Sequence, residues 1–189
     1  MKSLLFLLLL FPAIVHAQDR LPKPFDLDIK IKKDPITGLI QYESFNPTYA
    51  YILQDGPKIK MYVKFSLSQY LSSPNLNKVY FKSNGSTTTI DYNDREFKTR
   101  KNVEFEKTTT VLKDATLHKS AIEHHTDYFR AEYENRKDLI DGLIEHRGMI
   151  RLQGDNGVKE DIVITKADSR RMKRIVELYN FLTSQNQAK

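Results

Sequence analysis

The stretch RGMIRLQGDNGVKEDIVIT, residues 147–165, decides how the end of this chain folds. Ile150 and Leu152 fall on one face of a strand, Ile162 and Ile164 on one face of its return, with Gly154-Asp155-Asn156-Gly157 between them. Apolar residues at every second position mark a half-buried β-strand, and a Gly/Asn/Asp cluster between two such runs marks a turn, so a β-hairpin is expected. GDNG is not a phosphate loop, because no Gly-Lys-Ser/Thr follows and a strand comes next. Nor is it a calcium loop: Arg151 and Gln153 stand where oxygen ligands would begin. A GxxG clamp of an RNA-binding KH module would join two helices. Its expected role is to turn the chain.

Residues on either side of the hairpin carry helical spacing. In 134–146, Leu139, Ile140, Leu143 and Ile144 form one stripe, and Gly148 is placed to end the helix. Thr165 with Asp168 three residues on is a capping-box variant that satisfies free N–H groups at a helix start. Met172, Ile175, Val176, Tyr179 and Leu182 then share one side, and a polar tail follows at 184–189.

Toward the N-terminus the period changes to two. Leu27, Ile29 and Ile31 alternate with Asp28, Lys30 and Lys32, residues 34–38 turn the chain, and 39–45 return. TYAYIL is closed by Gln54-Asp55-Gly56-Pro57, after which Ile59, Met61, Val63 and Phe65 alternate with Lys58, Lys60, Tyr62 and Lys64. Residues 78–83 and STTTIDY flank Asn84-Gly85, the dipeptide of a tight primed turn. Residues 97–111 read as one long or two short strands, 113–120 as a loop, and 122–133 as a strand or a helix. Strands first and helices last give the expected class: α+β, mainly antiparallel sheet, with a C-terminal helix–β-hairpin–helix unit.

The N-terminus MKSLLFLLLLFPAIVHAQDR has Lys2, an apolar run from Leu4 to Phe11, Pro12 and the small-residue ending Val15-His16-Ala17. This is the pattern of a secretory signal peptide over residues 1–17, too short to span a bilayer, with cleavage expected after Ala17. A single exported domain over 18–189 is expected to follow, opening on an extended arm at 18–25. With Cys 0 in 189 residues the chain carries no disulfides, which favours a bacterial envelope over a eukaryotic secretory route. That also lowers the weight of Asn84-Gly85-Ser86 as a glycosylation acceptor. The formal charge of +6, reduced by one when Lys2 leaves, favours association with anionic surfaces.

Chemistry-bearing residues are sparse. His124 and His125, adjacent on a strand, point to opposite faces, whereas His125 and Asp127 meet the i, i+2 spacing of metal ligands. They are the weak candidate centre for a metal-dependent or hydrolytic enzyme, with solvated histidines (His118 and His146 included) as the plainer reading. Glu123, Glu132 and Glu134 lie near them, but acid–base pairs need burial to separate their pKa values. No G-x-S-x-G, no thiol and no H-E-x-x-H occurs.

The basic residues offer a second candidate. Arg147 and Arg151 flank the first hairpin strand, and Arg170, Arg171, Lys173 and Arg174 open the last helix. A helix packed back on the hairpin would let these six converge on one edge and bind phosphate or carboxylate. Lys98, Arg100 and Lys101 form a similar set. Ten tyrosines supply a third candidate, an aromatic platform for glycan or peptide stacking, with Tyr51 and Tyr62 the residues to examine for exposure.

The functional expectation is an exported, non-enzymatic binding module of the bacterial envelope, periplasmic, surface-held or secreted. Its partner is an unknown protein or anionic polymer, and no cofactor, membrane span or nucleic-acid motif is implied. One alternative is an envelope-acting hydrolase or metal-dependent enzyme near His125 and Asp127; the other is anionic-polymer binding through the basic C-terminal edge.

Overall fold

Residues 21, 25, 29–44, 49–70, 74–107 and 119–187 are described by the structure, a computed structural model. The expected signal peptide, most of the arm at 18–25, and His118 lie outside the described residues, as do the side chains of Arg100, Lys101, Glu123 and His124.

Ten strands and two α-helices form among the described residues. In chain order they are β1 (Ile29–Lys33), β2 (Ile40–Ser44), β3 (Ala50–Asp55), β4 (Lys58–Tyr70), β5 (Leu76–Ser83), β6 (Ser86–Asp91), β7 (Phe97–Lys107), β8 (Lys119–Glu132), α1 (Lys137–His146), β9 (Met149–Gly154), β10 (Lys159–Val163) and α2 (Lys166–Gln187). Every strand pair is antiparallel, in a six-stranded sheet β1-β2-β3-β4-β8-β7 and a four-stranded sheet β10-β9-β5-β6. The strand alternative for 122–133 is the one that forms, and the helical stripe of 134–146 becomes a short 3-10 helix, Tyr133–Arg136, running into α1. Residues 184–187 of the expected polar tail continue α2.

Alternation sets the layers. In β4, Met61, Val63, Phe65 and Leu67 are buried while Lys60, Tyr62, Lys64 and Ser66 occupy the opposite face. In β5 and β9, Val79, Phe81, Ile150 and Leu152 are buried in the same way. The two inner faces meet through a chain of edge-on rings: Phe65–Phe81 at 6.1 Å, Phe81–Phe129 at 5.7 Å and Phe129–Phe97 at 5.5 Å between centroids. Such pairs add about 0.5–1.5 kcal/mol each beyond area burial. The helix α2 packs against β2, β3, β4 and α1 and buries Met172, Ile175, Leu178 and Tyr179. Its start is a reciprocal cap: Thr165 N–H and Oγ1 donate to Asp168 Oδ2 at 3.1 and 2.6 Å, and Asp168 N–H donates to Thr165 Oγ1 at 3.2 Å.

Two glycines act differently from their sequence reading. Gly148 was expected to supply the left-handed residue that ends α1, but Arg147 adopts it, with φ 49. Gly148 instead admits a close neighbour, since a Cβ there would lie 2.4 Å from the Lys82 carbonyl oxygen. Within GDNG, Gly157 carries the positive φ of 79, whereas a Cβ on Gly154 would sit 2.0 Å from the Pro74 carbonyl oxygen. Gly154 therefore lets the chain before β5 cross β9 at close range.

Candidate functional site

His125 and Asp127 share the inner face of β8, opposite Gln69 and Leu67 of β4. Asp127 is 2% exposed, and its Oδ2 accepts the Leu76 N–H at 2.9 Å. That bond ties the six-stranded sheet to the first residue of β5 in the other sheet, a structural task for the carboxylate. Among the described residues no group of three His, Cys, Asp or Glu side chains is placed to hold a metal ion. Asp127 also lines a cavity of about 240 Å³ with Leu76, Tyr92, Asp94, Phe97, Lys98 and Thr99. Tyr92 donates to Asp94 Oδ1 at 2.8 Å, and that bond, together with the carboxylate's charge, raises the Tyr92 hydroxyl pKa.

The six basic residues of the C-terminal set are distributed over two places. Ser169 Oγ donates to the Ile144 carbonyl at 2.7 Å and Ile164 N–H to the Gly148 carbonyl at 3.0 Å, so the start of α2 lies against the end of α1 that carries Arg147. Arg147, Arg170 and Lys173 are exposed, Arg171 pairs with Asp168 at 3.5 Å, and Arg174 pairs with Glu177 at 3.1 Å. Arg151 lies on the outer face of the four-stranded sheet, opposite Tyr80, and grips Asp161 bidentately at 2.6 and 2.7 Å. Arg151 is thus separated from the helix start, and three of the six positive charges are answered by acids of the chain itself. These pairs are solvent-exposed or partly so, and solvent and salt screen them, so they add little to stability.

The third candidate is the most organised. On the outer face of the six-stranded sheet, register aligns Lys30, Glu43, Tyr51, Tyr62 and Glu132 in one row across β1, β2, β3, β4 and β8. The next row places Lys64 opposite Arg130, and the one after it runs from Ser66 through Tyr128 to Lys98. The Tyr51 and Tyr62 rings stack at 5.5 Å and 25°. The Arg130 guanidinium lies 5.0 Å from the Tyr62 ring, and the Lys64 ammonium 4.3 Å from the Tyr128 ring. Burial pushes the Tyr51 hydroxyl above its ordinary pKa against the pull of Arg130, which also hydrogen-bonds it.

Charge on this face is unbalanced. Among the described side chains, Lys30, Lys32, Lys58, Lys60, Lys64, Lys98 and Arg130 stand against Glu43, Asp55 and Glu132, and Glu43 and Glu132 pair with Lys32 and Lys60. Like charges directly opposite across strands destabilise a sheet by a few tenths to about 1 kcal/mol. Cation–π contacts of about 0.5–1 kcal/mol each offset that at Lys64 and Arg130, and leave both cations at the surface of the face.

Tyr51 and Tyr62 were the tyrosines singled out from the sequence, and they are half-buried and side by side. Tyr128 and Arg130 were missed. The alternation of Thr126, Tyr128, Arg130 and Glu132 with Asp127, Phe129 and Ala131 marks them as one face, but their register against β4 is tertiary information. The Arg136–Glu96 pair was missed as well: Arg136 Nε and Nη2 donate to the two Glu96 oxygens at 2.9 and 2.8 Å. No described helix is long and apolar enough to cross a membrane. No family model, curated protein or solved structure matches the chain.

Proposed function

We propose that this protein is an exported, non-enzymatic binding module of the bacterial envelope that holds an anionic polymer against the outer face of its six-stranded sheet. The observation that carries this reading is the opposed pair Lys64 and Arg130, each beside a tyrosine ring on a face where, among the described side chains, seven basic residues stand against three acidic ones. Carboxylate, sulfate or phosphate groups spaced along a chain would bridge the two cations, while flat sugar faces rest on the stacked Tyr51 and Tyr62. In this reading residues 1–17 direct export, and the terminal helix–β-hairpin–helix unit is scaffold behind the sheet. The basic edge at Arg147, Arg170 and Lys173 is then a secondary contact.

Heparin retention supplies the test, with heparin as a generic anionic polymer. Lys64→Gln/Arg130→Gln is expected to elute at clearly lower salt than the parent, and Arg170→Gln/Arg174→Gln close to it, both with parental circular dichroism. Equal elution of the sheet-face variant and the parent would refute the proposal, and loss confined to the helix variant would move the site to the C-terminal edge. Each phosphate-like contact removed also flattens the salt dependence, so the slope provides a second reading.

A further inference from the structure

Among the described residues, four strands end the two sheets: β1 and β7 in one, β10 and β6 in the other. Three of these edges read IKIKK, FKTRKNVEFEK and KEDIV, with charges of the kind that keep another strand from docking. The fourth, β6, reads STTTID. From Ser86 to Ile90 it has no charge and no proline, its register with β5 is unbroken, and Ser86, Thr87, Thr88 and Thr89 are exposed.

The hairpin fixes which backbone groups face outward. Ser83 and Ser86 flank the two-residue turn Asn84-Gly85, so they form a hydrogen-bonded pair, and Thr88 and Ile90 bond β5 in the same phase. The Tyr92 N–H bond to the Asn77 carbonyl at 2.8 Å keeps that phase to the end of the strand. Thr87 and Thr89 consequently turn their N–H and C=O groups to the open edge.

We propose that β6 pairs antiparallel with β6 of a second copy of this chain, about a two-fold axis at Thr88, joining two four-stranded sheets into one of eight. In this register Thr87 of each copy faces Thr89 of the other, and both pairs exchange two backbone hydrogen bonds. Thr88 faces Thr88, Ser86 faces Ile90, and Asp91 faces Gly85, so no like charges meet. This self-complementarity points to a second copy over a foreign strand, and it gives the closed, isologous contact of a symmetric dimer. A contact of about five residues per chain is well below a standard interface of about 1,600 Å², so the dimer is a weak one. The protein's net positive charge opposes it, and added salt strengthens it. Binding of an anionic polymer to the other sheet has the opposite salt dependence, which separates the two proposals.

The test is sedimentation velocity of the purified protein from about 10 µM to about 1 mM, at low and high salt, with amide hydrogen exchange at both ends of the range. The parent is expected to shift toward dimer with concentration and with salt, while exchange at Thr87 and Thr89 slows at least several-fold. Thr89→Pro removes an outward N–H and leaves the β5 bonds in place, and Thr87→Lys/Thr89→Lys sets lysines opposite lysines; both are expected to stay monomeric. A parent that is monomeric at about 1 mM overturns the proposal. So does a dimer that survives the lysine variant, or one that leaves exchange at Thr87 and Thr89 unchanged. Where Thr89→Pro loses its fold, the lysine variant and the exchange data decide alone.

Discussion

Replacing Asp127 tests whether its carboxylate is a structural joint or a reacting group. Asp127→Ala removes the acceptor 2.9 Å from the Leu76 N–H at a residue only 2% exposed. A hydrogen bond to a charged group contributes about 1.5–3 kcal/mol, and a buried donor left unsatisfied costs about 1–3 kcal/mol, so a loss of about 2–3 kcal/mol is expected. For a chain of this size 1 kcal/mol shifts the melting temperature by about 2–4 °C, which puts the alanine variant about 5–10 °C below the parent. Asp127→Asn keeps a neutral acceptor and forfeits only the charge assistance, about 1 kcal/mol. Paired urea and thermal melts at pH 7 followed by circular dichroism measure both values. An alanine variant melting within about 1 °C of the parent refutes the joint. An asparagine variant as unstable as alanine refutes it differently, by showing that charge and not acceptance is what the site uses.

Three further outcomes are expected. Burial raises the Glu96 pKa, but the Arg136 and Asn93 donors outweigh it and hold the carboxyl below its ordinary 4.5. A lowered folded pKa contributes stability that is full above the ordinary value and lost as pH falls through the folded one, so Glu96→Gln should cost most near neutrality. Its gap to the parent should close as acid is added, and a gap constant from about pH 7 to about pH 3 would contradict this. Arg147→Gly relieves a left-handed arginine at φ 49 and should raise stability by about 0.5–1 kcal/mol in urea titration. Gly142→Ala, whose new Cβ meets Ser83 Oγ at 3.6 Å inside α1, should stabilise by about 0.5–1 kcal/mol, whereas Gly154→Ala, blocked by the Pro74 carbonyl, should destabilise by about 1–3 kcal/mol or more in the same titration.

Local structure was legible wherever one residue type has one local use. Asn84-Gly85 announces its hairpin because both residues tolerate positive φ, and they take φ 48 and 77. Thr165 and Asp168 announce the start of α2 because their side chains reach each other's backbone within one turn. The alternation of 59–65 announces β4 and, once Met61, Val63 and Phe65 are placed inside, puts Tyr62 and Lys64 outside. What was not legible depends on partners far along the chain. Asp127 looks like a metal ligand beside His125 because i, i+2 is all the sequence displays, while its partner Leu76 lies in another sheet. Lys64 and Arg130 are unremarkable until β4 and β8 are paired in register. Arg147, read as a ligand-binding cation, also performs the backbone task assigned to Gly148, since capping geometry is set by how the chain leaves the helix and Gly148 is held against Lys82.

The strand order has a kinetic consequence. β8 completes the first sheet by pairing with β4, yet β5, β6 and β7 come between them; β9 completes the second by pairing with β5, yet β8 comes between those. Neither sheet is built from an uninterrupted run of strands, because each closes a loop that contains strands of the other. Closing long loops ahead of their reward makes folding slow, and interlocking them makes it all-or-none. A chain stopped anywhere before residue 149 leaves the Val79 and Phe81 face of β5 without β9, and the ring stack at Phe81 loses the layer beside it. Unfolding of the intact protein is therefore expected as one transition, and truncated forms are expected to aggregate instead of retaining half of the fold.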